Sequence, residues 1–161
     1  MTGIAWSHWL VWGFASTLVL TTLMSASQGL GLTRMSIPYL LGTMFTPDRD
    51  RGRLLGVLLH VVNGLAFSLL YVAAFHAWGG PTWWKGALVG LVHGGFVLCV
   101  AMPVLPAMHP RMASETQGPT VVRQLEPPGF LALHYGTRTP AVAAIAHVVF
   151  GVILGACYRA A

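Results

Sequence analysis

The sequence predicts an all-α protein, a single membrane domain over residues 1–161 built as a bundle of four transmembrane helices, and three observations carry that expectation. Hydrophobic residues make up 55% of the chain and charged residues only 8%, against roughly a quarter charged in soluble domains. Four apolar runs, each about the twenty residues needed to cross a hydrocarbon core as a helix, alternate with segments that hold almost all the charge. Within each run, small residues recur at every fourth position, the spacing of one helix face and not of a strand.

The first run spans about Trp9 to Ala26. Trp6, His8, Trp9 and Trp12 form the indole-rich belt of a membrane–water boundary at its start. Gly13, Thr17, Thr21, Ser25 and Gly29 fall on one stripe, which is expected to face protein. No basic segment and no cleavage site mark a signal peptide, so this helix is expected to stay in the mature protein. The connection from Gln28 to Arg53 sets Arg34, Arg49, Arg51 and Arg53 against Asp48 and Asp50. Its apolar centre, Ile37-Pro38-Tyr39-Leu40-Leu41, suits the membrane surface, and Thr46-Pro47-Asp48 reads as a helix start.

The second run, about Leu54 to Ala74, continues a four-residue series of Gly52, Gly56, His60, Gly64 and Ser68, which places His60 on the small-residue face. Trp78-Gly79-Gly80-Pro81-Thr82-Trp83-Trp84 supplies a turn and interfacial indoles. The third run, about Lys85 to Leu105, opens on Gly86, Gly90 and Gly94, places His93 one residue from that face, and is expected to end at Pro103 and Pro106. A proline-rich loop follows from Ala107 to Thr139, with Arg111, Arg123, Arg138, Glu115 and Glu126. Its Phe130-Leu131-Ala132-Leu133 stretch is apolar enough to touch the membrane surface. The last run, about Pro140 to Tyr158, aligns Ala143, His147, Gly151 and Gly155. Cys99 and Cys157 fall at different depths and are expected to be free thiols.

The first and third loops hold Arg34, Arg49, Arg51, Arg53, Arg111, Arg123 and Arg138, leaving only Lys85 and Arg159 elsewhere. By the positive-inside rule these loops are cytoplasmic and both termini lie on the outer side of a bacterial cytoplasmic (inner) membrane. The chain also repeats itself. His60-Val61-Val62-Asn63-Gly64, closed by Tyr71, recurs as His147-Val148-Val149-Phe150-Gly151, closed by Tyr158. Gly42-Thr43 and Thr46-Pro47 are echoed by Gly136-Thr137 and Thr139-Pro140, and Arg34-Met35 by Arg111-Met112. The common order predicts a tandem duplication of a two-helix unit, about 1–78 and 79–161, with a parallel pseudo-twofold axis along the membrane normal. Residue counts from the helix ends put His60 and His147 at one depth and His93 deeper.

The basic residues are dispersed over loops without a basic helix or aromatic platform, which argues against nucleic acid as a partner. No carboxylate lies within an apolar run to mark a proton or solute path, and no serine, histidine and carboxylate spacing marks a hydrolase, so an enzyme is not the first reading. The favoured function is an accessory or scaffold subunit of a membrane complex, in contact with the lipid bilayer and with other membrane proteins or further copies of itself. The alternative is a b-type haem protein of electron transfer. In it His60 and His147 are axial ligands, Gly64 and Gly151 leave room for the macrocycle, and Arg53 and Arg138 pair its propionates. A further alternative takes Cys99, Met102, Met108, His109 and Met112 as soft ligands for copper or another metal in a binding or transport protein. Against both stands the plain use of an imidazole as an interhelical hydrogen-bonding group.

The stretches Leu41-Gly42-Thr43-Met44-Phe45-Thr46-Pro47-Asp48-Arg49, Ala107-Met108-His109-Pro110-Arg111-Met112 and Glu126-Pro127-Pro128-Gly129-Phe130, with the two histidine motifs, resemble those of small bacterial four-helix integral membrane proteins. That group has no assigned activity, so the resemblance implies location and helix count alone.

Overall fold

A computed structural model of the chain describes residues 3–114 and 116–161; Glu115, expected in the third loop, lies outside the described residues. Four long apolar helices are present, each of a length and hydropathy to cross a membrane. They are α1 (Trp6–Gly29), α3 (Arg49–Ala77), the span Trp83–Met108 and α6 (Thr139–Cys157). The third span is composite: α4 (Trp83–Phe96), a π-helical turn (Val97–Ala101) and α5 (Met102–Met108). The short helix α2 (Ile37–Thr43) precedes α3, and a 3₁₀ segment (Phe130–Tyr135) precedes α6. Among the described residues the fold is all-helical, with an isolated bridge between Met112 and Leu125 as its β-type pairing.

Small residues decide which helices touch. A methyl group built on Gly86 or Gly151 runs into the backbone of the other, and one on Gly90 or Gly94 meets the backbone or Cβ of His147, so α4 and α6 pack backbone to backbone. The α1–α3 contact is looser: Gly13 faces Ser68, Gly64 faces Thr17, and Trp9 Nε1 donates to Ser68 Oγ at 2.8 Å. α1 also lies along α6, whereas the α3 and α4 backbones stay apart and are bridged by the side chains of Phe67 and Tyr71 on His93, which leaves a seam between the two helices.

An even number of crossings brings the termini to one side. The Ala5 N–H donates to the Tyr158 hydroxyl at 3.2 Å and the Ala161 N–H to the Gly3 carbonyl at 3.2 Å. On the opposite side the two long loops form a joint cap. Arg34 pairs with Glu126 at 3.0 Å, its N–H donates to the Tyr135 carbonyl at 2.8 Å, and Thr33 and Thr139 share a hydroxyl bond at 2.8 Å. α2 is docked on α3, with Gly42 against Gly52 and Gly56 against the Pro38 carbonyl. Asp48 does start α3, accepting the Asp50 and Arg51 N–H groups at 3.0 and 2.8 Å.

The third span does not stop at its prolines. Proline lacks an N–H and its ring crowds the carbonyl one turn back. The π turn Val97–Ala101 widens the helix where that carbonyl lies, and Pro103 then occupies the first turn of α5, where no donor is required. The helix ends only after Met108, where His109 turns extended ahead of Pro110.

Candidate functional site

A cavity of about 160 Å³ lies inside the bundle behind the seam. His60, His93 and His147 line it, and towards the loop cap so do Met24, Met35 and Met102. Its wall is otherwise almost wholly apolar.

The hydrogen bonds fix two of the three imidazoles. His147, 7% exposed, sits on the small-residue face of α6, and its Nδ1 is 2.7 Å from the Ala143 carbonyl. A carbonyl only accepts, so Nδ1 carries the proton and Nε2 keeps its lone pair. His60 Nδ1 is 3.3 Å from Thr21 Oγ1, whose own proton is committed to the Thr17 carbonyl at 2.7 Å. Thr21 therefore accepts from His60 Nδ1–H, and the lone pair again stays on Nε2.

His93 is held differently. Its Nδ1 is 3.1 Å from the Tyr71 hydroxyl, and its ring stacks on Phe67 with centroids 4.2 Å apart. It meets the His147 ring edge to face, at 4.7 Å and 84°. The expectation that His93 lies deeper than the other two therefore fails against His147. Counting from helix ends assumes that the ends are level, but the third span runs on to Met108 and α6 begins at Thr139. The glycine contacts set the true register, placing Gly86 opposite Gly151 and Gly90 against the His147 backbone.

The two residue sets expected for cofactors are not assembled as such. His60 and His147 do share the cavity, but Gly64 is filled by the Thr17 side chain and Gly151 by the Gly86 backbone and Tyr71. Both glycines serve helix packing and hold no slot open for a macrocycle. Arg53 is exposed and pairs with Asp50 at 3.3 Å, and Arg138 is exposed just before α6. Of the soft ligands, Met102 alone lines the cavity. Cys99 and Met108 are exposed on the outside of the third span. Met112 is buried under the loop cap, and His109 Nε2 donates to the Leu40 carbonyl at 2.9 Å. Both cysteines are free thiols. Among the described residues no group of three or more His, Cys, Asp or Glu side chains is placed to hold a metal ion.

Sequence reasoning missed Met24, Met35, Phe67 and Tyr71 as neighbours of the histidines. Thr17, Leu20 and Met24 share one face of α1 at helical spacing, a signal available in the sequence. Met35 arrives from a loop and has no such signal. No protein family, curated protein or solved structure matches the chain.

Proposed function

We propose that this is a small multi-pass membrane protein that works as an accessory or scaffold subunit of a membrane complex, and Asn63 is the observation that carries this reading. Asn63 stands fourteen residues from either end of α3, exposed and at the seam towards α4. Among the described residues its side chain has no hydrogen-bond partner. A carboxamide facing hydrocarbon without partners is unfavourable, and in membranes such groups bond across helix interfaces, each bond contributing about 0.6 to 2 kcal/mol. The occupant this favours is a transmembrane helix of another membrane protein, laid into the seam with a polar side chain opposite Asn63. The neighbouring surface, including Leu58, Val62, Leu70, Leu91 and Val92, is exposed and apolar, as lipid or a partner helix requires.

The location follows from the charge asymmetry. The loop cap with Arg34, Arg49, Arg51, Arg53, Arg111, Arg123 and Arg138 faces the cytoplasm of a bacterium, and both termini face outward. A reporter fused after Arg159 should read as external; a cytoplasmic signal reverses the orientation. The duplication is supported by His60 and His147, each on the second helix of its half and both at one cavity. The halves have diverged in packing, tight across α4–α6 and looser across α1–α3.

The experiment is crosslinking in native membranes followed by mass determination. Wild-type protein should be recovered bound to another membrane protein, and Asn63→Leu should release it without loss of folded protein. Recovery of wild type as a lone chain, or an Asn63→Leu variant that stays bound, contradicts the reading.

A further inference from the structure

We infer that the histidine cavity is a binding site for one monovalent soft metal ion, Cu(I), taken by the Nε2 atoms of His60 and His147 with a thioether from the Met24, Met35 and Met102 cluster. The inference is independent of the accessory role.

Two imidazoles that line the cavity spend their N–H groups on Ala143 and Thr21, which leaves each a bare Nε2 lone pair. A bound group must therefore be a proton donor or a Lewis acid; a carbonyl compound offers nothing to either ring. Donation of the far N–H to a carbonyl or hydroxyl is also the arrangement that orients metal-ligating histidines and raises their basicity.

Among the described residues no Asp or Glu lines the cavity, so a divalent ion would carry its charge into hydrocarbon without a counter-charge. A single positive charge is tolerated better. Imidazole with thioether is the donor set that suits Cu(I), while hard ions require oxygen ligands. Three buried methionines at 3%, 1% and 6% exposure line the cavity on its loop-cap side, so thioether donors share the enclosure with the histidines.

About 160 Å³ accommodates an ion or a small molecule. A macrocycle would have to displace Thr17 from Gly64 or part α4 from α6 at Gly151. Among the described residues, the lack of a convergent group of three His, Cys, Asp or Glu side chains argues against a tetrahedral zinc-type site. Two imidazoles and one thioether meet the lower coordination of Cu(I). His93 is a positioning residue here, its ring held by Tyr71 and Phe67 and packed on the edge of His147.

The test is a titration of the full-length chain in detergent with Cu(I) under reducing, anaerobic conditions, in competition with a chromophoric Cu(I) chelator. One ion per chain is expected. His60→Ala and His147→Ala should each weaken binding by at least about tenfold, the loss seen when even an outer partner of a ligand is removed. Cys99→Ser and Met108→Leu, both on the outside of the third span, should leave it unchanged. Because His147 is buried, His147→Met provides a variant that keeps a soft donor, and it should retain binding where His147→Ala does not. X-ray absorption of the loaded wild type should show imidazole nitrogen together with thioether sulfur. Failure to retain Cu(I), Zn(II) bound as tightly as Cu(I), a nitrogen-only or oxygen-only shell, or a Soret band in the protein as isolated would each overturn the inference.

Discussion

At the scale of single residues, the chain places three kinds of histidine in three environments, and hydrogen bonding tells them apart. His60 and His147 line the cavity, donate from Nδ1 and keep Nε2 free; His93 engages a tyrosine; His109 lies outside the membrane spans and uses both nitrogens. In His109 the Nε2–H donates to the Leu40 carbonyl and Nδ1 accepts the Arg111 N–H at 3.1 Å, so a second proton would break a bond that holds the loop cap. Burial, with the Arg111 guanidinium adding to it and the Leu40 bond opposing it, holds the His109 pKa below the ordinary 6.5. The unfolded chain therefore takes up the proton first. The His109 contribution is complete above the unfolded value and is lost as pH falls through it towards the lower folded value. The thermal midpoint in detergent should accordingly drop on going from about pH 7 to about pH 5. The drop should be smaller in His109→Gln, which is less stable at neutral pH but lacks the titrating ring. An equal slope in both proteins would place the acid sensitivity elsewhere.

The pair His60 and His147 was legible in the sequence because the motif around it is written twice. His93 was not, since its level depends on which glycines of α4 oppose which of α6, a pairing between segments some sixty residues apart. Helix ends were a poor ruler, and the glycine register was the better one. Asn63 stands where the second histidine motif has Phe150, which is fully buried, and that difference between the two motifs falls at the seam.

At the scale of elements, the small-residue stripes were the most readable feature, and most of their members are buried: Gly13 and Thr17 on α1, Gly52, Gly56, Gly64 and Ser68 on α3, Gly86, Gly90 and Gly94 on α4, and Ala143, His147, Gly151 and Gly155 on α6. The α1 stripe runs out at Ser25 and Gly29, which are exposed. A side chain added where two backbones touch separates the helices, whereas a change facing lipid leaves them in place. Gly90→Leu and Gly151→Leu should thus lower thermal stability by several kcal/mol, beyond the range of about 1 to 3 kcal/mol usual for overpacking. Leu88→Ile and Leu91→Ile, on exposed positions, should change it by less than about 0.5 kcal/mol. Comparable losses in both groups would mean that these faces are wrongly assigned. The prolines were misleading for a local reason: Pro103 reads as a stop, but the π turn ahead of it removes the clash that would make it one.

At the scale of the whole molecule, the order α3, α1, α6, α4 leaves a seam, and both functional inferences use it. A closed bundle would bury Asn63 and seal the histidines; this one sets a carboxamide at its lip and imidazoles behind it. Helix number and membrane character were available from composition because hydrocarbon constrains them so strongly. The seam was not, because it depends on which pairs of helices make the closest approach. The claim on which the account most depends is that histidines from separate helices meet at one cavity, with the Nδ1–H groups of His60 and His147 bonded to Thr21 and Ala143. Solid-state NMR of protein labelled with ¹³C and ¹⁵N at histidine, in lipid bilayers, measures it directly. The account predicts a ring-to-ring correlation between His93 and His147, lost in His93→Ala, and the Nδ1–H tautomer for both His60 and His147. The absence of that correlation, or Nε2–H tautomers at those two positions, would contradict it.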